Sequence, residues 1–290
     1  MIPVRSRADL RSGPANGLRA VLLAFSAIGI VPLAAGCAGP AGRPTPQRPT
    51  FSQNTSTTAA GTMELEAGVS VDPGDNFDSP VTLKYGISED TELFGSMAPY
   101  VWEDFDGANG EGIGDLFLGV RQRFIDVGAD EPTFAYQLKT KIPTAPEEQG
   151  IGSGQMDFFA AGIMDYPIDE FWLTTFYQLG IIGEPVGNDD PDLEHGIAVA
   201  SNMAFDDSLG GYGEIAGIFT PERDDEQLIA TAGLTHPLGE RSVIDAGVAV
   251  GLTKDAPDFQ ILLGITTNFG GGDKQPLRRE PRLPSSAPID

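Results

Sequence analysis

Apolar residues and small or polar residues alternate along the last part of the chain, from Arg241 to Phe269. Ile244, Val248 and Leu252 belong to an apolar series that resumes after a turn at 253–256. Side chains of a strand alternate between its two faces, so each segment has one apolar face and one small or polar face. Each segment runs for about eleven residues, roughly double the usual strand length. At a tilt near 40° such a strand rises roughly 28 Å, the thickness of a hydrocarbon core.

Twelve alternating segments occur between residues 62 and 269, where we find no amphipathic helix of useful length. They lie near 63–71, 81–87, 91–102, 112–126, 132–143, 154–166, 171–182, 193–205, 209–220, 226–236, 241–252 and 257–269. An even number of strands returns the chain to the side on which it started. The pattern therefore predicts an all-β fold over 62–269, a closed antiparallel transmembrane β-barrel of about 12 strands with both termini in the periplasm.

Three features favour a membrane barrel over a soluble β-sandwich, which also alternates. The first is that short connections, such as 88–91 and 167–170, alternate with longer ones near 103–111, 144–153 and 183–192. The second is an apolar face without acidic or basic residues. The third is a predicted girdle of aromatic side chains at the periplasmic strand ends, where headgroups would lie. Its members are Phe124, Phe134, Tyr166, Phe171, Phe205 and Phe269.

The residues before the barrel carry targeting information. Residues 1–36 combine four arginines with the apolar run 20–35, which is typical of a secretory signal peptide. The single cysteine, Cys37, follows Leu33, Ala34, Ala35 and Gly36, a run that resembles a bacterial lipobox. We expect lipidation at Cys37, and ordinary cleavage among these small residues is the alternative.

Two further segments lack a hydrophobic period. Residues 37–61 are rich in Pro, Ser and Thr, which predicts a linker. Residues 270–290 are a Gly- and Pro-rich tail with a small basic cluster, which we interpret as disordered and solvated rather than bound to lipid or cell wall.

The charge of the chain excludes one class of partner. Its formal net charge is −24, and residues 62–269 hold 38 acidic and 8 basic residues, a formal charge of −30. An acidic domain repels nucleic acid, so we expect no nucleic-acid partner. Acidic outer loops would aid solubility, bridge divalent cations to lipopolysaccharide or attract cationic solutes.

No catalytic or metal site is predicted. The two histidines, His195 and His236, fall near opposite rims of the predicted barrel, so they cannot share a metal ion. No Ser, His and Asp residues converge as a triad requires. We therefore expect no enzyme activity, no catalytic residues, no metal and no cofactor.

Charged residues on the inward side are the candidates for function. The bases are Lys84, Arg121, Arg123, Lys139 and Lys141, and the acids are Glu64, Glu66, Asp115, Asp157, Glu214 and Asp245. A stripe of free bases would attract anionic groups in an open lumen. The alternative is local pairing, of Asp157 with Lys139 or Lys141 and of Glu64 or Glu66 with Lys84.

Four short motifs carry a resemblance to a known family. They are GIGDL at 112–116, KTKIPT at 139–144, GSGQMD at 152–157 and the closing stretch 245–269. With these motifs the chain resembles the outer-membrane family named for the MetA pathway of phenol degradation. The resemblance implies a barrel that passes small molecules, hydrophobic or aromatic ones among them. Two departures are the tail beyond Phe269 and the lipid anchor predicted at Cys37.

Three hypotheses of function follow from these features. The first is a pore or transporter for small solutes in the outer membrane of a Gram-negative bacterium. The second is a non-transporting barrel or surface lipoprotein with a structural or adhesive role, and the third is a soluble β-rich lipoprotein. The expected partners of the barrel are outer-membrane lipid, a small-molecule solute and the barrel-assembly machinery.

The lipobox generates a first testable prediction. Mass spectrometry of the mature amino terminus is expected to find a diacylglyceryl group on Cys37. A mature chain that begins downstream of Cys37 and carries no lipid would contradict the prediction.

Overall fold

The computed structural model describes residues 44–73, 76–105, 108–126, 131–168, 171–183, 191–223 and 225–270. The predicted signal peptide, Cys37 and the tail from residue 271 lie outside the described residues. Two short 3-10 turns, Glu147–Gln149 and Pro221–Arg223, are the helical elements of these ranges. None of the helices described is long and apolar enough to cross a membrane.

The described ranges form fifteen strands in one antiparallel sheet. They are β1 (Met63–Asp72), β2 (Asn76–Asp78), β3 (Val81–Ser88), β4 (Thr91–Met97), β5 (Val101–Phe105), β6 (Ala108–Gly112), β7 (Leu116–Asp126), β8 (Thr133–Ile142), β9 (Asp157–Ile168), β10 (Phe171–Ile182), β11 (Asp192–Ala204), β12 (Gly210–Thr220), β13 (Asp225–Leu238), β14 (Ser242–Gly251) and β15 (Phe259–Phe269).

These strands make twelve barrel strands, because three of the twelve are interrupted. β1 pairs with β3 through 63–67 and with β2 through 70–72, so β2 and β3 form one barrel strand. β4 pairs with β3 and β5 pairs with β2, so β4 and β5 form a second interrupted barrel strand. β6 pairs with β5 and β7 pairs with β4, so β6 and β7 form the third. β15 pairs with β1 from Met63↔Phe269 to Val71↔Ile261, which closes the sheet. The predicted closed antiparallel barrel of 12 strands is confirmed.

The two ends of the barrel differ in their connections. At the end where β1 begins, two residues join β3 to β4 and two join β9 to β10. The opposite end carries the connections 143–156 and 183–191. Short turns mark the periplasmic end of outer-membrane barrels, so β1 begins on that side. The long loop predicted near 103–111 is wrong, because β5 and β6 continue as a hairpin in which Phe105 pairs with Ala108.

The outer surface of the barrel is apolar and the inner surface is polar. Along β3, the outward residues Leu83, Tyr85 and Ile87 are exposed, whereas Lys84 between them is buried. A band of exposed apolar side chains is what a transmembrane barrel presents to lipid, and the fold is that of a bacterial outer-membrane protein. Glu226 is an exception to the predicted charge-free face, but it lies at the outer end of β13.

The six predicted girdle residues all lie at the periplasmic ends of their strands. Phe124, Tyr166 and Phe205 are exposed, and Phe134, Phe171 and Phe269 are partly buried. The ring centroids of Phe124 and Phe134 are 6.2 Å apart. A contact between these rings and lipid headgroups stays a prediction.

Tyr212 fills a glycine-lined hollow on the inner wall. Its ring crosses from β12 over Gly233 and Gly247, and a Cβ built on either glycine would overlap the Tyr212 hydroxyl. The residue is buried, and its hydroxyl has no hydrogen-bond partner among the described residues. The close approach of ring and backbone therefore requires glycine on the next two strands, β13 and β14.

The hollow generates a prediction about stability. Gly247→Ala is expected to destabilise the barrel by about 1–3 kcal/mol, the usual range for overpacking. The measurement is the temperature at which the fast-migrating folded band is lost in SDS gel electrophoresis. The matched control is Gly162→Ala, because a Cβ on Gly162 meets nothing within 4 Å. Equal melting temperatures for the two variants would contradict the prediction.

Candidate functional site

Residues 44–62, here called the lumen segment, lie inside the barrel. Thr55, Thr57, Thr58 and Thr62 are fully buried, and Ser52 is 2% exposed. This differs from the linker expected over 37–61. From residue 44 onward the chain packs against the wall, because its polar groups bind the charges that face the lumen.

The lumen segment enters and leaves at the periplasmic half of the barrel. Near its start, Thr45 bonds to Glu64, the second residue of β1. Near its end, Thr57 bonds to the Glu89 carbonyl in the β3–β4 turn. Its middle reaches further inward, to Glu214 on β12. The segment therefore forms a loop whose two arms point to the periplasm.

Backbone N–H groups of the lumen segment bind carboxylates of the wall. The Phe51 and Ser52 amides donate to the two oxygens of Glu214, at 2.8 and 2.7 Å. The Thr55 amide and hydroxyl donate to Asp165 Oδ2, at 2.9 and 2.6 Å. Hydrogen bonds to a charged group contribute about 1.5–3 kcal/mol each, so these contacts fix the segment strongly.

A three-residue charge cluster binds the first arm of the segment. Lys84 forms ion pairs with Glu64 and with Glu66, the latter at 2.6 Å, and donates to the Thr45 carbonyl at 2.7 Å. Glu64 and Glu66 accept from the amides of Thr45 and Gln47, both at 2.8 Å. The predicted pairing of Lys84 with these two acids is present.

Arg121 organises the second arm. Its guanidinium pairs with Glu92 at 2.9 Å and donates to the Ser56 carbonyl at 3.2 Å. It also bonds to the side chains of Gln53 and Gln137. Glu92 accepts in turn from the Thr58 amide at 2.7 Å. Arg121 is 1% exposed, and the ion pair with Glu92 compensates its buried charge, while its Nε has no hydrogen-bond partner among the described residues.

The other predicted bases are mostly paired as well. Arg123 contacts Asp90 at 2.7 Å, and Lys141 contacts Asp157 at 2.5 Å. Lys141 also lies 3.7 Å from Asp115, whose carboxylate accepts the amides of residues 144 and 145. The structure therefore shows local pairing in place of a stripe of free bases.

Lys139 has a different environment. Its ammonium lies 4.7 Å from the ring centroid of Phe159 and 5.6 Å from that of Phe117. Both rings project into the lumen from the neighbouring strands. The contacts are cation–π interactions, which stabilise a positive charge without a paired carboxylate.

One apolar contact anchors the middle of the segment. The Phe51 ring meets Phe176 edge-on, with the centroids 5.5 Å apart and the planes at 84°. It packs on a buried cluster that includes Ile163 and Ala198. Apart from this ring, the segment's contacts with the wall described above are polar.

The outer half of the lumen contains a cavity of about 460 Å³. It is lined by Ser70, Ser96, Phe117 and Gln260, and by Asp78 of β2 and Glu103 of β5 near the outer rim. Burial raises the pKa of the Glu103 carboxyl, and the negative charge of the neighbouring Asp78 raises it further. The outer half of the lumen thus contains this cavity, and the lumen segment occupies the periplasmic half.

The two histidines lie apart, as the sequence indicated. His195 Nδ1 is 2.9 Å from the Tyr177 hydroxyl on the outer face, and His236 bonds to the Ser208 carbonyl at the periplasmic rim. In the ranges that the structure covers, no group of His, Cys, Asp and Glu residues is arranged to hold a metal ion.

Sequence reasoning missed two carboxylates and the lumen segment itself. Glu92 and Asp165 lie on the inward side of segments that had been identified, so the alternation alone could have found them. The surplus of inward acids over inward bases was the signal for the segment, because buried carboxylates require donors.

Comparisons with solved structures find outer-membrane channels. An outer membrane channel from Pseudomonas putida F1 is 11% identical, with a TM-score of 0.59, over 76% of this chain and 100% of that chain. The NanC porin is 8% identical, with a TM-score of 0.52, over 71% of this chain and 98% of that one. The KdgM porin is 7% identical, with a TM-score of 0.52, over 71% and 99%. At these identities the likeness establishes the fold.

No family model and no curated protein matches the chain.

The position of the lumen segment can be tested by thiol labelling. In a chain with Cys37→Ser, Ser52→Cys is expected to react with a maleimide far more slowly in the folded barrel than after boiling, because Ser52 is buried. Asp207→Cys, at an exposed residue of the periplasmic turn, is the matched control and should react at once. Equal labelling rates in the folded protein would place the segment outside the lumen.

Proposed function

We propose that this protein is a channel for small solutes across the bacterial outer membrane, and that the lumen segment closes it in the state described. The observation that carries the proposal is a closed barrel whose outer half contains a cavity and whose periplasmic half is occupied by residues 44–62. The likeness of the fold to known channels supports it.

The contacts of the segment favour a closure that can be reversed. They are largely hydrogen bonds to charged groups, about 1.5–3 kcal/mol each, and water that enters the lumen on withdrawal would hydrate the same charged groups. Both arms point to the periplasm, so the loop can withdraw without threading through the barrel. Phe51 provides the main apolar resistance to withdrawal.

The solutes are small molecules. The resemblance to the family named for the MetA pathway of phenol degradation supports aromatic compounds among them. The wall of the lumen is rich in charged and hydroxyl side chains, which favours solutes that carry charge or hydrogen-bonding groups over purely apolar ones.

A second candidate function follows from the same occupied lumen. If the segment never leaves, the barrel is a non-conducting outer-membrane protein with a structural or adhesive role. The number of charge-assisted bonds that hold the segment favours this alternative, so conductance has to be measured.

Single-channel recording in planar bilayers separates the two functions. The full chain is expected to open rarely, and the double variant Arg48→Ser, Phe51→Gly to open much more often. These changes remove the Phe51 ring that packs on Phe176 and the contacts of Arg48 with Asp245 and Leu263, but they leave the residues of the barrel wall unchanged. The matched control is Thr50→Ser, which keeps the hydroxyl of a neighbouring residue in the segment. If neither the full chain nor the double variant conducts, although gel migration shows that both are folded, the result would favour the structural role.

A further inference from the structure

A flat niche on the lumen wall holds the side chain of Arg48. Gly68 on β1 and Gly264 on β15 face each other in the closing strand pair. A Cβ built on either glycine would overlap the Arg48 guanidinium. The two glycines therefore leave a slot that fits a planar cation.

The niche contains acceptors for a cation. Arg48 Nη2 donates to the Leu263 carbonyl at 3.1 Å, and Arg48 Nε lies 3.9 Å from Asp245 Oδ2. Asp245 is 5% exposed, and its Oδ1 has no hydrogen-bond partner among the described residues. A buried carboxylate with an unfilled oxygen is costly, and a cation that is not tethered to the segment could approach it more closely than Arg48 Nε does at 3.9 Å.

The cation that fills this niche belongs to the lumen segment and not to the wall. When the segment withdraws, Arg48 leaves with it, and Asp245 loses that ion pair. Glu214 loses its bonds to the Phe51 and Ser52 amides at the same time. By contrast, Glu92 keeps Arg121, and Glu64 and Glu66 keep Lys84.

An opened lumen would therefore be negative at this level. Six carboxylates line the wall around the segment, Glu64, Glu66, Glu92, Asp165, Glu214 and Asp245, against two bases, Lys84 and Arg121. In a confined lumen such an excess is screened less than the same charges at an exposed surface. The sign is opposite to that expected from a stripe of free bases.

We propose that the niche of Gly68, Gly264, Leu263 and Asp245 is a binding site for the guanidinium or amine group of a solute, and that it makes the open channel cation-selective. Arg48 occupies this site in the closed state as an internal substitute for the solute. The inference rests on the proposed channel function and assigns its solute class.

The test is a reversal-potential measurement in a KCl gradient on the full chain with Arg48→Ser and Phe51→Gly. Potassium is expected to be about threefold or more as permeant as chloride. Agmatine, a small guanidinium compound, should block the potassium current, and succinate should not. Adding Asp245→Asn is expected to lower the permeability ratio to about half and to weaken the agmatine block. The matched control is Glu222→Gln, an exposed carboxylate of the outer loop, which should change neither quantity.

The outcomes distinguish the inference from the function on which it rests. A conducting pore that prefers chloride, or an Asp245→Asn variant with unchanged selectivity and block, would overturn the cation site and leave the channel standing. Folded variants that never conduct would overturn the channel and the site together. Asp245→Asn removes a charge that has lost its partner in this background, so the variant is expected to fold, which heat-dependent gel migration checks.

Discussion

Buried carboxylates that need hydrogen-bond donors determine the interior of this barrel. The strands place acids on the inward side at several heights, and a carboxylate without partners in a low-dielectric interior is strongly unfavourable. Wall bases satisfy some of them, as Lys84 does for Glu64 and Glu66. Backbone amides of residues 45–58 satisfy others, so a segment without a hydrophobic period acquires a defined position.

The same requirement explains why the lumen segment is rich in small polar residues. Ser and Thr side chains are short enough for the backbone to approach the wall, and their hydroxyls add bonds such as that from Thr55 to Asp165. Larger apolar side chains would fill the lumen but leave the carboxylates without donors. Phe51 is accommodated because its ring reaches an apolar patch around Phe176.

The barrel could be predicted from the sequence, and the surplus of inward acids indicated a need for donors, but the position of residues 44–62 in the lumen could not be predicted. Alternation with a period of two is a local signal, so the strands, their faces and the side chains of Lys84 and Asp245 followed from counting along the chain. The position of residues 44–62 depends on contacts with strands far away in the sequence, such as Phe51 with Glu214. The hairpin at 101–112 was missed for a related reason, because backbone pairing continues there in a stretch rich in Gly, Asp and Glu.

The lumen segment is joined directly to β1, and this covalent link has a kinetic consequence. A withdrawn segment stays within a short tether of the lumen, so its effective concentration at the wall is on the order of millimolar whatever the amount of protein in the membrane. In the proposed channel, closure would then be a first-order event, and openings would end without any signal from outside. A free peptide of the same sequence would have to reach a comparable concentration before it could compete for the wall.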